Sequence, residues 1–212
     1  MSWFSYIFPQ TIFRASSTYN RDIRINEERG KLKLLANGSR QSGAYIEQLW
    51  RRAFKAFGII PNSPVRSILV LGVAGGTVIH LLRDRYLRSR IVGVDIDPVM
   101  IDIGKRYFGL DAIPSLRIVQ GDAKQFVHRT TDRFDLIIVD LFLGREIPAF
   151  VRSPIFLRRL RHILNSGGTV VINFLRELEY GMKSDKLMKI LQKIFPTVSD
   201  FGMYHNRFFA AT

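Results

Sequence analysis

The sequence contains no cysteine, which excludes disulfide bonds, thiolate metal ligands and a cysteine nucleophile. It also lacks any apolar run near the roughly 18 to 20 residues that a membrane-spanning helix needs. The first residues have neither the basic lead nor the cleavage site of a signal peptide. Its four histidines are far apart, at no spacing typical of metal ligands. We therefore expect a cytoplasmic protein without a metal site.

Acidic residues are few relative to basic ones: 18 Asp and Glu stand against 32 Lys and Arg, a net charge of +14 at pH 7. Such a balance favours polyanionic and acidic partners. The basic residues are dispersed except for one concentration on a predicted helix, at Arg152, Arg158, Arg159, Arg161 and His162. No helix-turn-helix, zinc or RNA-binding signature accompanies them. Nucleic acid is thus a candidate partner on net charge alone, and the alternative is that the charge serves solubility.

From Pro61 onward, apolar segments of strand length alternate with segments of helical periodicity. Two nearly continuous apolar runs, Ile137–Val139 and Val170–Ile172, are typical of parallel strands covered on both faces. The pattern predicts an α/β fold with a doubly wound, mostly parallel sheet. The predicted strands are Ser67–Leu71, Arg90–Asp95, Leu116–Gln120, Phe134–Asp140 and Thr169–Phe174. The predicted helices between them begin near Gly76, Pro98, Ala123 and Ser153. The helix that begins near Ser153 ends before a turn at Asn165–Gly168. A final helix, about Lys183 to Phe195, precedes β segments at Val198–Tyr204 and Arg207–Ala211.

The N-terminal region differs from this pattern. Residues 1 to about 20 are aromatic and irregular, and the segments that follow alternate polar and apolar residues up to the turn at Asn37-Gly38. We expect a small β-hairpin there, and a helix over Tyr45–Phe57 packed on the core. The chain is accordingly divided into an aromatic segment, hairpin and helix (1–58) and an α/β domain (59–212).

A glycine-rich turn follows the first predicted strand, and an acidic residue ends the second. Gly72, Gly75 and Gly76 form the turn, and Asp95 comes about 20 residues later. This layout is typical of a nucleotide-binding βαβ unit, in which glycines let the backbone approach a ligand. Asp95 is then placed to accept hydrogen bonds from ribose hydroxyls.

The next two strand ends also carry carboxylates, so the series predicts a nucleoside site at one edge of the sheet. Asp122 is a candidate acceptor for an adenine amine, with the Ala123 N–H donating to a ring nitrogen, and Asp140 would face the reacting end. The alternative role for each is helix capping: Asp122 suits an N-cap, and Asp95 could cap the next helix, although Asp97 is better placed. Independent caps would not be expected at every strand end.

Several segments together carry a family resemblance: Asp22–Gly43 with its Gln41-Ser42 pair, Gly72–Thr77, Val94–Pro98, Arg106–Leu110, Gly121–Ala123 and Phe134–Asp140. They resemble the Rossmann-like class I S-adenosylmethionine-dependent methyltransferases, and more narrowly the spermidine-synthase-like branch, over roughly Tyr19 to Phe174. The resemblance implies that Gln41, Asp95, Asp122 and Asp140 surround an adenosyl sulfonium cofactor. That cofactor would be S-adenosylmethionine or its decarboxylated form. Family members often pair through such hairpins, so a homodimer is a further expectation.

The sequence departs from spermidine synthases where the acceptor would bind. Ala74 stands where the family has a carboxylate that receives the aminopropyl amine, and Leu143 stands where a second acid holds the diamine. The family's acidic gate is reduced to Gly43–Tyr45. Because a polyamine site needs carboxylates to offset the desolvation of cations, aminopropyl transfer to putrescine is disfavoured.

Methyl transfer to a small-molecule acceptor other than a polyamine is the leading hypothesis. Asp140 is the candidate general base or orienting acceptor. Tyr45 and Glu146 could line the acceptor pocket, although Glu146 equally suits a solvated loop. The alternatives are a polyamine-synthase-like aminopropyltransferase and a non-catalytic basic binding protein on the same fold. A dehydrogenase is a weaker competitor because Gly72–Gly76 departs from the Gly-x-Gly-x-x-Gly pattern.

Overall fold

The computed structural model describes residues 8–60, 64–144, 146–177 and 179–212, which form a four-stranded antiparallel sheet and a seven-stranded, mostly parallel sheet. The predicted α/β fold with an N-terminal β appendage is confirmed. The small sheet consists of β1 (Gln10–Ala15), β2 (Ile23–Glu28), β3 (Lys31–Ala36) and β4 (Ser39–Arg40). The large sheet consists of β5 (Ser67–Leu71), β6 (Arg90–Asp95), β7 (Leu116–Gln120), β8 (Phe134–Val139), β9 (Leu164–Leu175), β10 (Val198–Met203) and β11 (Asn206–Ala211). The helices are α1 (Ala44–Ala56), α2 (Thr77–Arg85), α3 (Pro98–Phe108), α4 (Ala123–Arg129), α5 (Pro154–Ile163) and α6 (Tyr180–Ile194).

The N-terminal sheet is larger than the predicted hairpin. Strand β1 lies in the segment predicted to be irregular, and it pairs antiparallel with β2. Its pairing register shifts between Thr11 and Phe13, and most of its side chains are exposed or half-buried. A strand with a bulge and no buried face lacks the alternation from which sequence patterns predict strands. Residues 1–7, part of the same predicted segment, lie outside the described residues.

The large sheet has the strand order β10-β11-β9-β8-β5-β6-β7, in which β11 is antiparallel to both of its neighbours, β10 and β9. Strand β5 lies between β6 and β8, and both pair with it in parallel. The chain therefore moves outward from β5 in one direction and later returns to its other side. Open α/β sheets bind ligands at such a switch point, beyond the carboxyl ends of the strands.

Alternate residues of β5 contact helices on opposite faces of the sheet. Ile68 and Val70 pack in a core with α1 and α2, whereas Leu69 and Leu71 pack in a core with α4, α5 and α6. Helix α3 closes a third core with the N-terminal sheet. The two-sided burial explains the continuous apolar runs in the sequence.

Two predicted boundaries are wrong in detail. The segment Asn165–Gly168, predicted as a helix end and turn, belongs to β9 and forms an irregularity opposite Phe134 and Leu136. Gly167 has a φ of +73°, so a left-handed residue bends the strand there rather than ending the helix before it. Helix α6 begins at Tyr180, earlier than predicted. None of the helices within the described ranges is both long and apolar enough to cross a bilayer.

Candidate active site

A cavity of about 1050 Å³ opens at the carboxyl ends of the parallel strands, and residues of both sheets line it. Its walls include the predicted site residues Gln41, Gly72, Asp95, Asp122, Ala123 and Asp140. The volume is at the upper end of the range for ligand pockets, so a cofactor and an acceptor could occupy it together. The strand ends are thus brought to one place, as the sequence predicts.

The first glycine of the turn, Gly72, allows the ends of two central strands to approach closely beside the cavity. Gly72 has a φ of +93°, and a Cβ built there would overlap the Asp140 carbonyl oxygen. The Asp140 N–H donates to the Leu71 carbonyl at 2.8 Å, so the ends of β5 and β8 are held in close contact. Only glycine combines this φ with this approach.

Gly75 and Gly76, the other two glycines of the turn, do not line the cavity themselves, and each lies close to another part of the protein. A Cβ at Gly75 would lie 2.8 Å from the Ser42 Cβ, and one at Gly76 would overlap the Leu110 side chain. Gly76 also has a φ of +73° and is the N-cap of α2. Both glycines make room for the protein's own packing, and their part in cofactor binding stays a prediction.

Asp95 ends β6 and binds the glycine turn. Its Oδ2 accepts the N–H groups of Val73 and Ala74 at 2.8 and 3.1 Å, and its Oδ1 accepts the Asp97 N–H at 3.0 Å. Burial raises the pKa of Asp95, and the three N–H donors partly oppose that rise. A carboxylate has about four acceptor positions, so roughly one remains for a ribose hydroxyl. Asp97 caps α3 by accepting the Val99 N–H, as predicted.

Asp122 is the N-cap of α4 in this structure, because its Oδ1 accepts the Gln125 N–H at 2.8 Å. The capping role does not exclude the binding role, since Asp122 also lines the cavity and its Oδ2 accepts no hydrogen bond from the described residues. Ala123 follows at the first position of α4, where N–H groups have no partner within the helix. Both groups therefore remain candidates for recognising an adenine edge.

Asp140 lies at the end of β8 within a chain of side-chain hydrogen bonds. The Trp50 Nε1–H donates to its Oδ2 at 3.2 Å, and the Asn173 Nδ2–H donates to its Oδ1 at 2.8 Å. Asn206 in turn donates to the Asn173 Oδ1 at 2.8 Å. Burial raises the pKa of Asp140 to about 6, against the lowering effect of its two donors. A carboxylate with this pKa can accept a proton near neutral pH.

Sequence reasoning did not assign a site role to Trp50, Asn173 or Asn206. Trp50 lies in the predicted helix Tyr45–Phe57 and is buried in the core as that prediction implies, and its indole N–H also donates to Asp140. Asn173 carried a usable signal: it is a polar residue that directly follows the apolar run Val170–Ile172. A buried amide within such a run needs hydrogen-bond partners, and these lie at the site.

The other candidates lie around the cavity mouth. Gln41 donates from Nε2 to the Gly144 carbonyl at 3.5 Å, which joins the N-terminal sheet to the loop after β8. The Tyr45 ring packs against Tyr204, and burial raises the pKa of its hydroxyl. Glu146 lines the cavity with an exposed side chain, so both sequence interpretations of it agree with its position.

The cavity is strongly acidic although the protein is basic, and we call it the acidic cavity. Its described lining residues include seven carboxylates: Asp95, Asp97, Asp122, Asp140, Glu146, Glu177 and Glu179. The basic groups among them are Arg40 and His205, and His205 is paired with Glu177. No group of three described His, Asp or Glu side chains is arranged to hold a metal ion. A cavity lined by so many carboxylates suits a cationic sulfonium cofactor and a cationic or amine acceptor.

Comparison with known proteins places the site in a family context. The family model described as "Spermine/spermidine synthase domain" matches residues 51–204. The chain is 33% identical to a polyamine aminopropyltransferase of Vibrio vulnificus over 119 residues, which cover 55% of this chain and 40% of the relative. It is 29% identical to an eEF1A lysine and N-terminal methyltransferase homolog of Drosophila pseudoobscura over 148 residues, 65% of this chain and 22% of the relative.

The fold similarity extends over more of the chain than the sequence similarity. A probable spermidine synthase from Corynebacterium glutamicum superposes with a TM-score of 0.81 at 18% identity, over 94% of this chain and 79% of that structure. The chain spans less than half the length of the two curated relatives. One relative is named for aminopropyl transfer and the other for methyl transfer.

Proposed function

The chain belongs to the spermine/spermidine synthase domain family, and from that premise we propose that it transfers a methyl group from S-adenosylmethionine to an amine nitrogen. Family membership confirms the resemblance that the motifs predicted. The observation that carries the proposal is Asp140, a half-buried carboxylate with a pKa of about 6 in a cavity rich in negative charge.

The strand-end residues are the groups that would hold the cofactor. Asp95 would accept from the ribose, and Asp122 and the Ala123 N–H would recognise the adenine edge. Gln41 would close the cavity from the N-terminal sheet. The bound cofactor supplies an electrophilic methyl group on a positively charged sulfur. The surrounding carboxylates favour that charge, because they lower the cost of removing a cation from water.

Asp140 would act on the acceptor. An amine attacks only through its unprotonated lone pair, so an ammonium must lose a proton before or during transfer. Asp140 can take that proton while Trp50 and Asn173 hold its two oxygens in place. The nitrogen–carbon bond then forms as the carbon–sulfur bond breaks, and a neutral thioether leaves. Activity should therefore fall as the pH drops through about 6.

Two residues favour methyl over aminopropyl transfer. Ala74 lines the cavity and carries no charge. It stands at the position where the spermidine synthases that this sequence resembles have a carboxylate that binds the amine. Arg40 also lines the cavity, and its guanidinium lies 5.8 Å from the centre of the Tyr45 ring. Arg40 would offset the α-carboxylate of S-adenosylmethionine, which the decarboxylated form lacks.

Aminopropyl transfer remains the second candidate because of one observation. Three glutamates line the cavity: Glu146, Glu177 and Glu179. The sequence did not predict that they would come together in a diamine site. They could replace the acids missing at Ala74 and Leu143. The two candidates differ in the cofactor they require, so binding measurements separate them.

The test is calorimetric titration of the protein with S-adenosylmethionine and, separately, with decarboxylated S-adenosylmethionine. We expect tighter binding of the carboxylated form, and a loss of at least about tenfold in Asp95→Ala, which removes a charge-assisted hydrogen bond. Asp84→Ala, on the exposed side of α2, is the matched control and should bind as the wild type does.

Each result has a defined meaning. Preference for the decarboxylated form would replace methyl transfer by aminopropyl transfer, and binding of neither would reject the transferase proposal. Acceptors are then screened with a lysine-containing peptide and putrescine, using mass spectrometry to distinguish an added methyl from an added aminopropyl group. Asp140→Asn should slow transfer by about 100-fold or more while binding the cofactor normally.

A further inference from the structure

A second cavity, of about 440 Å³, lies on the surface between α5, the end of α6 and the residue preceding β8. Its lining consists of Arg133, Arg158, Arg161, His162, Lys193 and Ile194, and we call it the basic pocket. Three of these residues belong to the basic concentration that the sequence shows on α5, which the proposed transferase function does not use.

The cations of the basic pocket have no carboxylate partner among the described residues. The ion pairs that the described residues form use other basic residues, such as Arg90 and Arg117 with Asp132. Two of the pocket's guanidinium groups are held by backbone carbonyls instead: Arg133 donates to Leu164 at 3.4 Å, and Arg161 donates to Ile194. These bonds position the two groups without neutralising their charge, so the pocket keeps its full attraction for an anion.

Arg159 and Arg152 help to define the pocket by contrast. Arg159 donates to the carbonyls of Val127 and Thr130 at the end of α4, so it serves helix packing. Arg152 does not line the pocket. The run of basic residues in the sequence is therefore divided by the fold into packing residues and pocket residues.

The positive surface continues beyond the pocket along α6. Lys186, Lys189 and Lys193 are exposed and are spaced at i, i+3 and i+7, which places them on one face of the helix. At a rise of 1.5 Å per residue this row is about 10 Å long. An extended row of cations leading into a pocket fits a chain of anions better than it fits a single small ion.

The basic pocket is separate from the acidic cavity. Arg133 precedes the first residue of β8 and Asp140 follows its last, so the two regions lie at opposite ends of a six-residue strand. At about 3.3 Å per residue, that strand separates them by about 20 Å. The pocket therefore cannot be an extension of the cofactor site.

We propose that the basic pocket and the α6 lysine row bind the phosphate backbone of a nucleic acid without reading its sequence. Ile194, the one apolar residue that lines the pocket, is buried, whereas the other lining residues are Arg, Lys or His, so charge is the feature by which an occupant would be recognised. Phosphate contacts by Arg and Lys provide this kind of affinity, and they position a protein without specifying bases.

The test is fluorescence anisotropy with a short labelled duplex DNA, over about 50 to 200 mM salt. The pocket variant is Arg158→Gln with Lys193→Gln, and the matched control is Arg52→Gln with Lys55→Gln on α1, on the opposite face of the sheet. All four side chains are exposed, and both variants remove the same charge. Removing two phosphate contacts should reduce the slope of log affinity against log salt by about 1.8, and the control should leave it unchanged.

Two results would overturn the proposal. Equal weakening by both variants, or by neither, would show that the net charge binds DNA diffusely. Competition by poly-glutamate at least as strong as competition by unlabelled duplex would assign the pocket to acidic polypeptides instead. S-adenosylmethionine titration of the same variants should be unchanged, so failure here is distinguishable from failure of the transferase proposal.

Discussion

The acidic cavity and the basic pocket differ in how their charges are held as well as in their sign. Asp95 and Asp140 are enclosed at the ends of core strands, where burial raises the pKa of each and backbone or side-chain donors surround it. Arg158 and Lys193 are exposed on helix surfaces. A charge inside the fold requires close packing and compensating hydrogen bonds, whereas a charge on its surface requires neither.

The difference also separates stability from function. The acidic cavity depends on contacts that join distant strands, so changes to it should affect stability as well as function. The basic pocket uses side chains whose removal leaves the core intact, so changes to it should affect binding alone. Three stability measurements test this comparison, and their expected effects decrease in order.

The largest effect is expected for Gly72→Ala. The new Cβ would overlap the Asp140 carbonyl oxygen at a positive φ, so the ends of β5 and β8 would have to separate. We expect the free energy of unfolding to fall by at least about 3 kcal/mol in urea denaturation. Gly58→Ala is the control, because Gly58 has a φ of +65° but no atom within 4 Å of its Cβ position. It should cost about 1 kcal/mol, and an equal cost at both positions would refute the close contact at Gly72.

An intermediate effect is expected from the titration of Asp140. Its pKa rises from 3.8 to about 6 on folding, so the folded state holds more protons than the unfolded state between these values. The free energy of unfolding should therefore decrease as the pH rises through that window. Between about pH 5 and about pH 8, the wild type should lose about 1 kcal/mol more stability than Asp140→Asn does.

The control for this measurement is Asp84→Asn, an exposed carboxylate on α2. It should keep the pH dependence of the wild type. If Asp140→Asn also keeps that dependence, Asp140 titrates at an ordinary value, and its role as a proton acceptor near neutral pH would lose its basis.

The smallest effect is expected at the basic pocket. Arg158→Gln and Lys193→Gln remove exposed side chains without a recorded ion pair, so each should change the free energy of unfolding by no more than about 0.5 kcal/mol. Urea denaturation at neutral pH checks this. A larger loss would mean that the pocket contributes to the fold, and the two regions would then not differ in the way described here.

Local sequence patterns were sufficient to predict most of the parallel sheet and the residues at its strand ends. Asp95, Asp122 and Asp140 each follow an apolar run, and the ends of parallel strands meet at one edge of a sheet. The patterns failed for β1, whose bulge and exposure remove the alternation on which strand prediction depends. They also failed at Asn165–Gly168, where a glycine with positive φ bends a strand instead of ending a helix.

The packing contacts of the glycines could not be predicted because they involve neighbours far away in the sequence. Gly75 adjoins Ser42, and Gly76 adjoins Leu110, so the turn contacts the rest of the protein as closely as it would contact a ligand. The same holds for Trp50 and Asp140, which are 90 residues apart and joined by one hydrogen bond.

The sequence by itself determined the fold class, the family and the set of carboxylates at the strand ends, because each depends on the spacing of residues near one another in the chain. Only the tertiary structure decided which charges gather in one place. It brings acids from several loops into one cavity and gathers cations, without carboxylate partners in the described part of the chain, at the opposite end of the strands. The positions of the charges in space depend on contacts between distant segments, whereas composition gives only the net charge.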